Sequence, residues 1–453
     1  MFILCPLAAQ PGKISLGFRE AGRLSADSSI ELKNQQARRA IREGAWALSI
    51  RAFFPQLNFS ASEDDRLSLI GADSFTKTYT ISLEQLLFDG GRTRAARSIE
   101  RTELALLSED LKQHESVLIE TAVTAYRQIL SSRMIAAIRK ETLISLKEQY
   151  RIMTEELALG LVIPLDLIHA EITLKEAELE LDSMIIQLEE QEKQFTELLG
   201  LDKMPELLEQ VDVYRSPVIP GRETIYRAAL DRNPDLIRLV HSIMQKETEV
   251  KLASRSLIPL IKATGSYSLS GQRYPLTRQS WNFGLSLNFS SPWFNAGAGG
   301  SAGWEPPYDK TARAQSNFSP LPDPASGLSA KQANLALALE RENYLRFQER
   351  LEREAALGVN VLQLNEQRRI LAVESLKLGA ERYRLSEVLL SLGRITRIEL
   401  MEERLKYAQK EAAAVEAATA LLEAERSLER LIDLPPGTLE EFNRRNGRFQ
   451  KQE

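Results

Sequence analysis

The run 92–160 constrains this chain more than any other feature, because it contains no proline and its only glycine is the last residue. Such a run predicts one continuous helix, which at 1.5 Å per residue would be roughly 100 Å long. A helix of this length needs packing partners along its whole course, since an isolated helix is only marginally stable in water. We therefore expect long helical hairpins rather than an ordinary globular core.

Apolar residues in the later helical segments recur at every seventh position. In the segment that follows the run they are Leu167, Leu174, Leu181, Leu188 and Phe195. Near the end of the chain they are Leu400, Tyr407, Ala414, Leu421 and Leu428. A sustained spacing of seven predicts coiled-coil packing with a left-handed supercoil. Gly160 before Pro164, and Gly393 before Thr396, predict the turns between the arms of two hairpins.

The chain also contains two copies of one unit. Ser82 and Leu83 match Ser286 and Leu287 at an offset of 204, whereas Gly160 matches Gly393 at an offset of 233. The difference between the offsets predicts an insertion in the second copy. Segment 298–328 is rich in Gly, Pro and Ser, so we predict that it is this insertion and that it forms a loop.

This duplication predicts the following division of the chain. Residues 1–13 are expected to be the remnant of a signal peptide, 202–217 a linker, and 435–453 a polar tail that frays. The first repeat is 14–201, with strands at about 53–62 and 76–88 and a helical hairpin at about 92–200. The second repeat is 218–434, with strands at about 259–271 and 280–291, the insertion 298–328, and a helical hairpin at about 329–433.

The predicted strands alternate strictly between apolar and small polar residues. In 281–290 every odd position is apolar and every even position is Asn, Gly or Ser. One interpretation is a pair of amphipathic hairpins packed on soluble helices. The other is a transmembrane barrel, whose strands need about 9–11 residues with this alternation.

Two details favour the barrel. The even positions of 281–290 are Asn, Ser and Gly rather than the Lys and Glu of a solvated soluble sheet, as suits a channel lumen. Trp281, Trp293 and Trp304, three of the four tryptophans, fall at or just beyond the second strand pair, where an aromatic girdle would lie. Four strands cannot close a barrel, and open edges in lipid leave backbone groups unpaired, so a membrane location requires an oligomer.

Composition and the N-terminus narrow the possible functions. The net charge of −5 argues against nucleic acid, because no basic excess is available to neutralise phosphates. Cys5 is the single cysteine, so no disulfide forms within the chain. Residues 2–9 resemble the end of a secretory signal, although an ordinary apolar tail is the alternative. A lipoprotein site at Cys5 is disfavoured by the bulky Leu4 before it.

Sites of chemistry are not evident in the sequence. His114, His169 and His241 are far apart and belong to no metal-binding motif, so each is expected to be a helix-surface or seam residue. Neither a phosphate-binding loop nor a nucleophile motif is found. We therefore expect no catalytic residue, no bound metal and no cofactor, and hence no enzyme.

Three motifs, taken in order, make the chain resemble the TolC-like outer-membrane efflux protein family over nearly its full length. The first is 86–92 (LLFDGGR), which leads from a strand into the long helix and is echoed by 292–297 (PWFNAG). The second is the pattern 159–174 around the first turn between helices. The third is 232–236 (RNPDL), near the start of the second copy.

The resemblance implies an α+β membrane protein. In this family a long coiled-coil α-helical barrel continues from a trimeric transmembrane β-barrel, to which each chain contributes four strands. It implies a homotrimer in the cell outer membrane, with the helical part in the periplasm. The assembly is expected to be the passive exit duct of a tripartite efflux or type I secretion system, which carries small molecules or polypeptides and uses no cofactor.

The same resemblance implies two kinds of partner: a periplasmic adaptor (membrane fusion protein), and an inner-membrane pump or ABC exporter. It assigns the adaptor contact to the hairpin tips, which here are Gly160, Leu161, Val162 and Ile163 in the first copy and Gly393, Arg394, Ile395 and Thr396 in the second. Because the two tips differ in sequence, they need not bind equivalently. The alternative function is a soluble periplasmic coiled-coil scaffold or adaptor, against which the small polar face of 281–290 argues.

Overall fold

The computed structural model describes residues 15–66, 74–253, 258–291, 293–305, 308–320 and 326–449. The predicted signal-peptide remnant 1–13, with Cys5, lies outside these residues. Contacts divide the chain into two units. One comprises Met1–Gln35, Leu111–Pro234 and Gln348–Glu453, and the other comprises Gln36–Asp110 and Asp235–Phe347. Among the described residues, none of the helices has both the length and the apolarity needed to cross a membrane.

The elements follow one another in two similar series. The first is β1 (Ser15–Leu16), α1 (Phe18–Ser28), α2 (Ile30–Leu48), β2 (Gln56–Arg66), β3 (Ser74–Phe88), α3 (Arg92–Ala158) and α4 (Pro164–Leu199). The second is β4 (Glu206–Leu207), α5 (Arg222–Arg232), α6 (Pro234–Ala253), β5 (Leu260–Gly271), β6 (Arg278–Ser290), β7 (Phe294–Glu305), β8 (Tyr308–Pro320), α7 (Ser326–Ser391) and α8 (Arg397–Leu431). Helix α9 (Leu439–Phe449) follows.

The boundaries of these elements repeat at the offsets found in the sequence. Helix α5 begins 204 residues after α1, and the ends of α3 and α7 are 233 residues apart. The predicted α+β class and internal duplication are confirmed. The helices α1, α2, α5 and α6, which precede the strand pairs, were not predicted. The expected linker 202–217 contains β4, which pairs in parallel with β1.

The prediction of a loop at 298–328 was wrong. Strands β7 and β8 form a third antiparallel hairpin here, and α7 begins at Ser326. The alternation in β7 uses Ala and Gly where other strands use Leu and Phe, so its composition is similar to that of a loop. The motif 292–297 accordingly leads into β7 and not directly into a helix. The chain therefore has six strands in its main sheet rather than four.

The main sheet lies in the unit formed by Gln36–Asp110 and Asp235–Phe347. Its strand order is β2-β3-β5-β6-β7-β8, and every neighbouring pair is antiparallel. The chain leaves β2, β5 and β7 and enters β3, β6 and β8 at the same end of the sheet, which we call the turn end. Strands β2 and β8 form the two edges.

The passage from β3 into α3 depends on two glycines. Gly90 and Gly91 have φ angles of 66° and 80°, and a Cβ on Gly90 would lie 2.5 Å from the Cγ2 atom of Ile258. The carboxylate of Asp89 accepts hydrogen bonds from the amides of Gly91 (2.8 Å) and Thr93 (2.6 Å). These bonds satisfy amides at the start of α3 that have no partner within the helix.

The other unit contains most of the two helical hairpins, with α3 from Leu111 onward followed by α4, and α7 from Gln348 onward followed by α8. The heptad positions predicted in α4 and α8 are buried or half-buried; Phe195, Ala414 and Leu428 are at most 1% exposed. Tyr126, 0% exposed, joins this packing to the small sheet, since its hydroxyl donates to the carbonyl of Leu16 and to the carboxylate of Glu209. Burial, followed by the bond to Glu209, raises the pKa of Tyr126 to about 12.

The polar tail 435–453 was predicted to fray, but part of it is helical. Residues 439–449 form α9, and its first turn is held by the buried carboxylate of Glu429, which accepts hydrogen bonds from the amides of Thr438 (2.7 Å) and Leu439 (2.9 Å). A charged acceptor for helix N-terminal amides is a strong cap, but it comes from α8 and so is invisible to local sequence patterns.

A buried ion pair fixes the segment after β4 against α7. The carboxylate of Glu366 accepts hydrogen bonds from Arg369 at 2.7 and 2.9 Å and from the hydroxyl of Ser216 at 2.8 Å. Arg369 also donates to the carbonyl of Val213 at 3.0 Å. The hydrogen bonds from Arg369 lower the pKa of Glu366 against the opposing effect of burial.

Replacing Glu366 by Ala should lower the free energy of unfolding by about 3–5 kcal/mol, because it leaves the Arg369 guanidinium buried without a counter-charge. Denaturant titration followed by circular dichroism measures this loss. The exposed Glu374→Ala on the same helix is the control, with an expected change within about 0.5 kcal/mol.

Because the folded pKa of Glu366 is lowered, its stabilisation is present above the ordinary carboxyl pKa and is lost as the pH falls below it. The advantage of the parent over Glu366→Gln should therefore shrink below about pH 4; equal losses in both alanine variants would contradict this account.

Candidate functional site

The register of the six strands collects their side chains onto two different faces. One face is mainly apolar, and its members include Leu57, Phe59, Ile81, Leu83, Tyr267, Trp281, Phe283, Leu285, Leu287, Ala298, Ala302, Ala314 and Phe318. The other face is polar, and its members include Asn58, Ser60, Ser62, Thr80, Ser82, Ser266, Ser268, Asn282, Ser286, Asn288, Ser301, Gln315 and Asn317. Small side chains dominate the polar face.

Cross-strand hydrogen bonds run over the polar face. The hydroxyls of Thr80 and Ser268 are 2.8 Å apart, and the Asn282 amide donates to the Ser301 hydroxyl at 3.4 Å. Charges on this face pair with each other, since the Lys262 ammonium is 2.6 Å from the Glu84 carboxylate. The described side chains of this face are therefore mostly small and polar, with the Lys262 and Glu84 charges paired.

The apolar face is exposed in the single chain. Phe283 and Leu285 in the middle of β6 are 65% and 52% exposed. Large apolar side chains on an inner strand of a sheet are normally covered by another layer, and a continuous exposed patch of this kind marks an interaction site. The apolar face therefore needs an apolar environment that this chain does not itself supply.

Aromatic side chains lie towards both ends of the apolar face. Trp281 pairs with Tyr267 and with Trp304 near the turn end of the sheet. Towards the other end lie Phe289 and the stacked rings of Phe294 and Phe318, whose centroids are 6.0 Å apart. The nine residues from Trp281 to Phe289 span roughly 27 Å, eight steps at about 3.4 Å each, close to the roughly 25 Å apolar band of outer-membrane barrels.

The two helical tips share one backbone design. At the first tip the amide of Leu161 donates to the carbonyl of Glu156 at 2.9 Å, and Gly160 has a φ of 72°. At the second tip the amide of Arg394 donates to the carbonyl of Leu389 at 2.9 Å, and Gly393 has a φ of 66°. Both are Schellman ends, in which glycine adopts the left-handed conformation at low cost.

The side chains at the two tips differ. Leu159, Leu161 and Ile163 at the first tip are 74%, 72% and 58% exposed. At the second tip Leu392 is exposed, but Arg394 stands where the first has Leu161. Thr396 forms a capping box with Glu399 that starts α8, whereas Pro164 starts α4. The first tip is thus an apolar projection, and the second combines apolar and basic groups.

Arg397 links the two tips. Its guanidinium donates to both carboxylate oxygens of Glu156, at 2.8 and 2.7 Å, and to the side-chain oxygen of Gln149 at 3.0 Å. These bonds lower the pKa of Glu156. Met401, next to this link, is buried with Met153 and Ala170. The residues that the sequence assigned to two separate tips therefore lie side by side.

Two heptad series of apolar residues have no partner within the described part of the chain. On α7 and the residue that follows it they are Leu357, Leu364, Leu371, Leu378, Leu385 and Leu392, between 46% and 66% exposed. On α4 they are Leu165, Ile172, Leu179 and Ile186, between 50% and 72% exposed. We call these the α7 seam and the α4 seam. Neither seam was predicted, although the sevenfold spacing of the α7 seam is visible in the sequence.

The described residues contain no group of three or more His, Cys, Asp or Glu side chains that could hold a metal ion. The features that stand out are therefore surfaces: a two-faced sheet, two exposed seams and a pair of adjacent tips.

Part of this chain is similar to known proteins. Residues 23–201, which include the first tip and the first strand pair, match the model of the outer membrane efflux proteins. The outer membrane efflux protein BepC of Brucella suis biovar 1 (strain 1330) is 26% identical over 242 residues, which are 53% of this chain and 52% of BepC. The family match covers less than half of the chain. The BepC match spans about half the length of this curated relative.

Solved structures of efflux channels share the fold. CusC superimposes with a TM-score of 0.74 at 14% identity, over 94% of this chain and 95% of CusC. The CmeC outer membrane channel of Campylobacter jejuni gives 0.71 at 15% identity, over 92% and 85% of the two chains. The MtrE outer membrane channel of Neisseria gonorrhoeae gives 0.72 at 13% identity, over 92% and 89%. At these identities the likeness shows only that the chain shares the fold of these proteins.

Proposed function

We propose that this chain is an outer-membrane exit duct, through which small molecules or polypeptides pass passively in a tripartite efflux or type I secretion system. The observation that carries the proposal is the two-faced sheet. A face of large apolar side chains opposite a face of Ser, Thr, Asn and Gly is the arrangement expected of a wall between lipid and water. No catalytic step is assigned to any residue.

Closure of such a wall needs further copies of the chain. Six strands leave two open edges, and a lipid environment offers no water to satisfy the backbone groups along them. The α4 and α7 seams support the same conclusion, because exposed apolar heptads require facing helices. We propose a homotrimer, the assembly implied by the family resemblance, in which the seam of one copy packs against a seam of the next and the helical part lies in the periplasm.

The remaining partners are proposed to be a periplasmic adaptor and, beyond it, an inner-membrane pump or ABC exporter. The tips at Gly160–Ile163 and Gly393–Thr396 are the proposed adaptor contacts. Support comes from the exposure of Leu159 and Leu161, which have no packing role within the described chain. A soluble scaffold, the alternative, gives no reason for a continuous apolar face on the sheet.

The double variant Leu371→Glu with Leu378→Glu should abolish the trimer, because charges in the α7 seam would face apolar groups of the next copy. Protein extracted from outer membranes with detergent is examined by native mass measurement and by gel migration with and without heating. The parent is expected to be a heat-modifiable trimer and the variant a monomer. Lys377→Glu, on the same turns but outside the seam, is the control and should leave the trimer intact. A parent chain that is monomeric in plain buffer would refute the duct.

Leu161→Glu should weaken binding of the adaptor, because it places a charge in the centre of the apolar tip. We expect a loss of roughly tenfold, or about 1.4 kcal/mol, from burying one unpaired charge at the edge of an interface. Surface plasmon resonance with an immobilised periplasmic adaptor that binds the parent chain provides the measurement. Arg394→Glu, the equivalent position of the second tip, is the matched comparison and tests whether the tips bind equally. Unchanged affinity in both variants would exclude the tips as the contact.

A further inference from the structure

The third hairpin, β7 with β8, changes where the sheet ends. Strand β7 pairs with β6 along its length, from Trp304 opposite Trp281 to Asn295 opposite Ser290. Strand β8 pairs with β7 from Thr311 to Pro320. Strand β7 therefore pairs with the side of β6 that would otherwise be an open edge, and β8 is the edge strand instead.

The added strands continue both faces of the sheet. On β8, Ala312, Ala314 and Phe318 extend the apolar face, and Arg313, Gln315 and Asn317 extend the polar face. On β7 the polar face carries Asn295 and Ser301 among glycines, which leaves room above it. A hairpin that merely covered the outside of a membrane wall would not need this polar side, so β7 and β8 have the pattern of wall strands.

Both edge strands are open along their whole described length. Every residue of β2 from Gln56 to Asp65 is exposed, and Phe59 on β2 and Phe318 on β8 are each 68% exposed. The two strands run in opposite directions, because the six strands alternate. Antiparallel pairing between β2 of one copy and β8 of another is therefore the geometry that extends the sheet without a change of pattern.

The charges on the two edges are complementary. At the turn end, β2 carries Asp64 on the polar face and Asp65 on the apolar face. At the same end, β8 carries Arg313 on the polar face, and Lys310 lines a cavity together with Trp281 of the apolar face. Antiparallel pairing that preserves the faces brings acid towards base on each side of the sheet, whereas β2 against β2 would bring acid towards acid.

We propose that β8 of one copy pairs with β2 of a second copy of this chain, so that each copy contributes six strands and three copies close an eighteen-stranded barrel. This inference rests on the proposed trimeric duct. Barrel diameter grows in proportion to strand number, so the barrel would be about 1.5 times as wide as a twelve-stranded one and its cross-section about twice as large.

Cysteine cross-linking in the full-length trimer tests the strand order directly. On a Cys5→Ser background, Ser62→Cys on the polar face of β2 is combined with Thr311→Cys, Arg313→Cys or Gln315→Cys on the polar face of β8. These three positions sample registers that differ by two residues, and a disulfide requires Cβ atoms about 4 Å apart. After oxidation in outer membranes, one of the three pairs should give covalent dimers and trimers on a denaturing gel.

The competing arrangement supplies the control. If β7 and β8 lay outside the wall, β6 would be the edge, and Ser62→Cys would cross-link with Ser280→Cys, Asn282→Cys or Ser286→Cys on β6. Cross-links to β6 and none to β8 would overturn the eighteen-stranded barrel. Trimers that cross-link through neither strand would overturn it as well. The absence of any trimer in the Cys5→Ser parent would refute the proposed duct itself, which distinguishes the two failures.

Discussion

The rest of this structure depends on the fact that successive residues of a strand point to opposite faces of a sheet. Six strands in register turn that alternation into one apolar and one polar surface. Each surface needs a different medium, and the backbone at the two edges needs a partner. The described part of one chain meets neither need, and in the proposed function further copies of the chain meet both.

The helices also present apolar surface that the described part of the chain leaves exposed. Buried heptads such as Phe195 and Leu428 hold each hairpin together, whereas Leu371 and Leu378 repeat the spacing on a surface that nothing in the described chain covers. Charged side chains then hold the segments that connect the helices. Glu429 caps α9, Glu366 and Arg369 anchor the segment after β4, and Arg397 joins the tips. The exposed apolar heptads thus mark the helix surfaces proposed to pack against another copy, and the buried charged groups hold the connecting segments in place.

Much of this organisation could be predicted from local patterns. The proline-free run and the heptads predicted the long helices. The alternation of apolar and polar residues predicted strands β2, β3, β5 and β6, because helices and strands have different periods. The third hairpin was missed because Ala and Gly at the apolar positions of β7 hide the alternation behind a loop-like composition. Helix α9 and the link at Arg397 were missed for a different reason. Their stabilising partners, Glu429 and Glu156, are distant in sequence or on another element, and a single sequence does not reveal such pairs.

The central claim is that the sheet is a wall with lipid on one side and water on the other. Its most direct test is the accessibility of neighbouring cysteines to a charged, membrane-impermeant thiol reagent in intact outer membranes. On a Cys5→Ser background, Ser286→Cys on the polar face should react readily and Leu285→Cys on the apolar face should not, because a thiolate does not form in hydrocarbon. Equal labelling of both positions, or labelling of Leu285→Cys alone, would contradict the account.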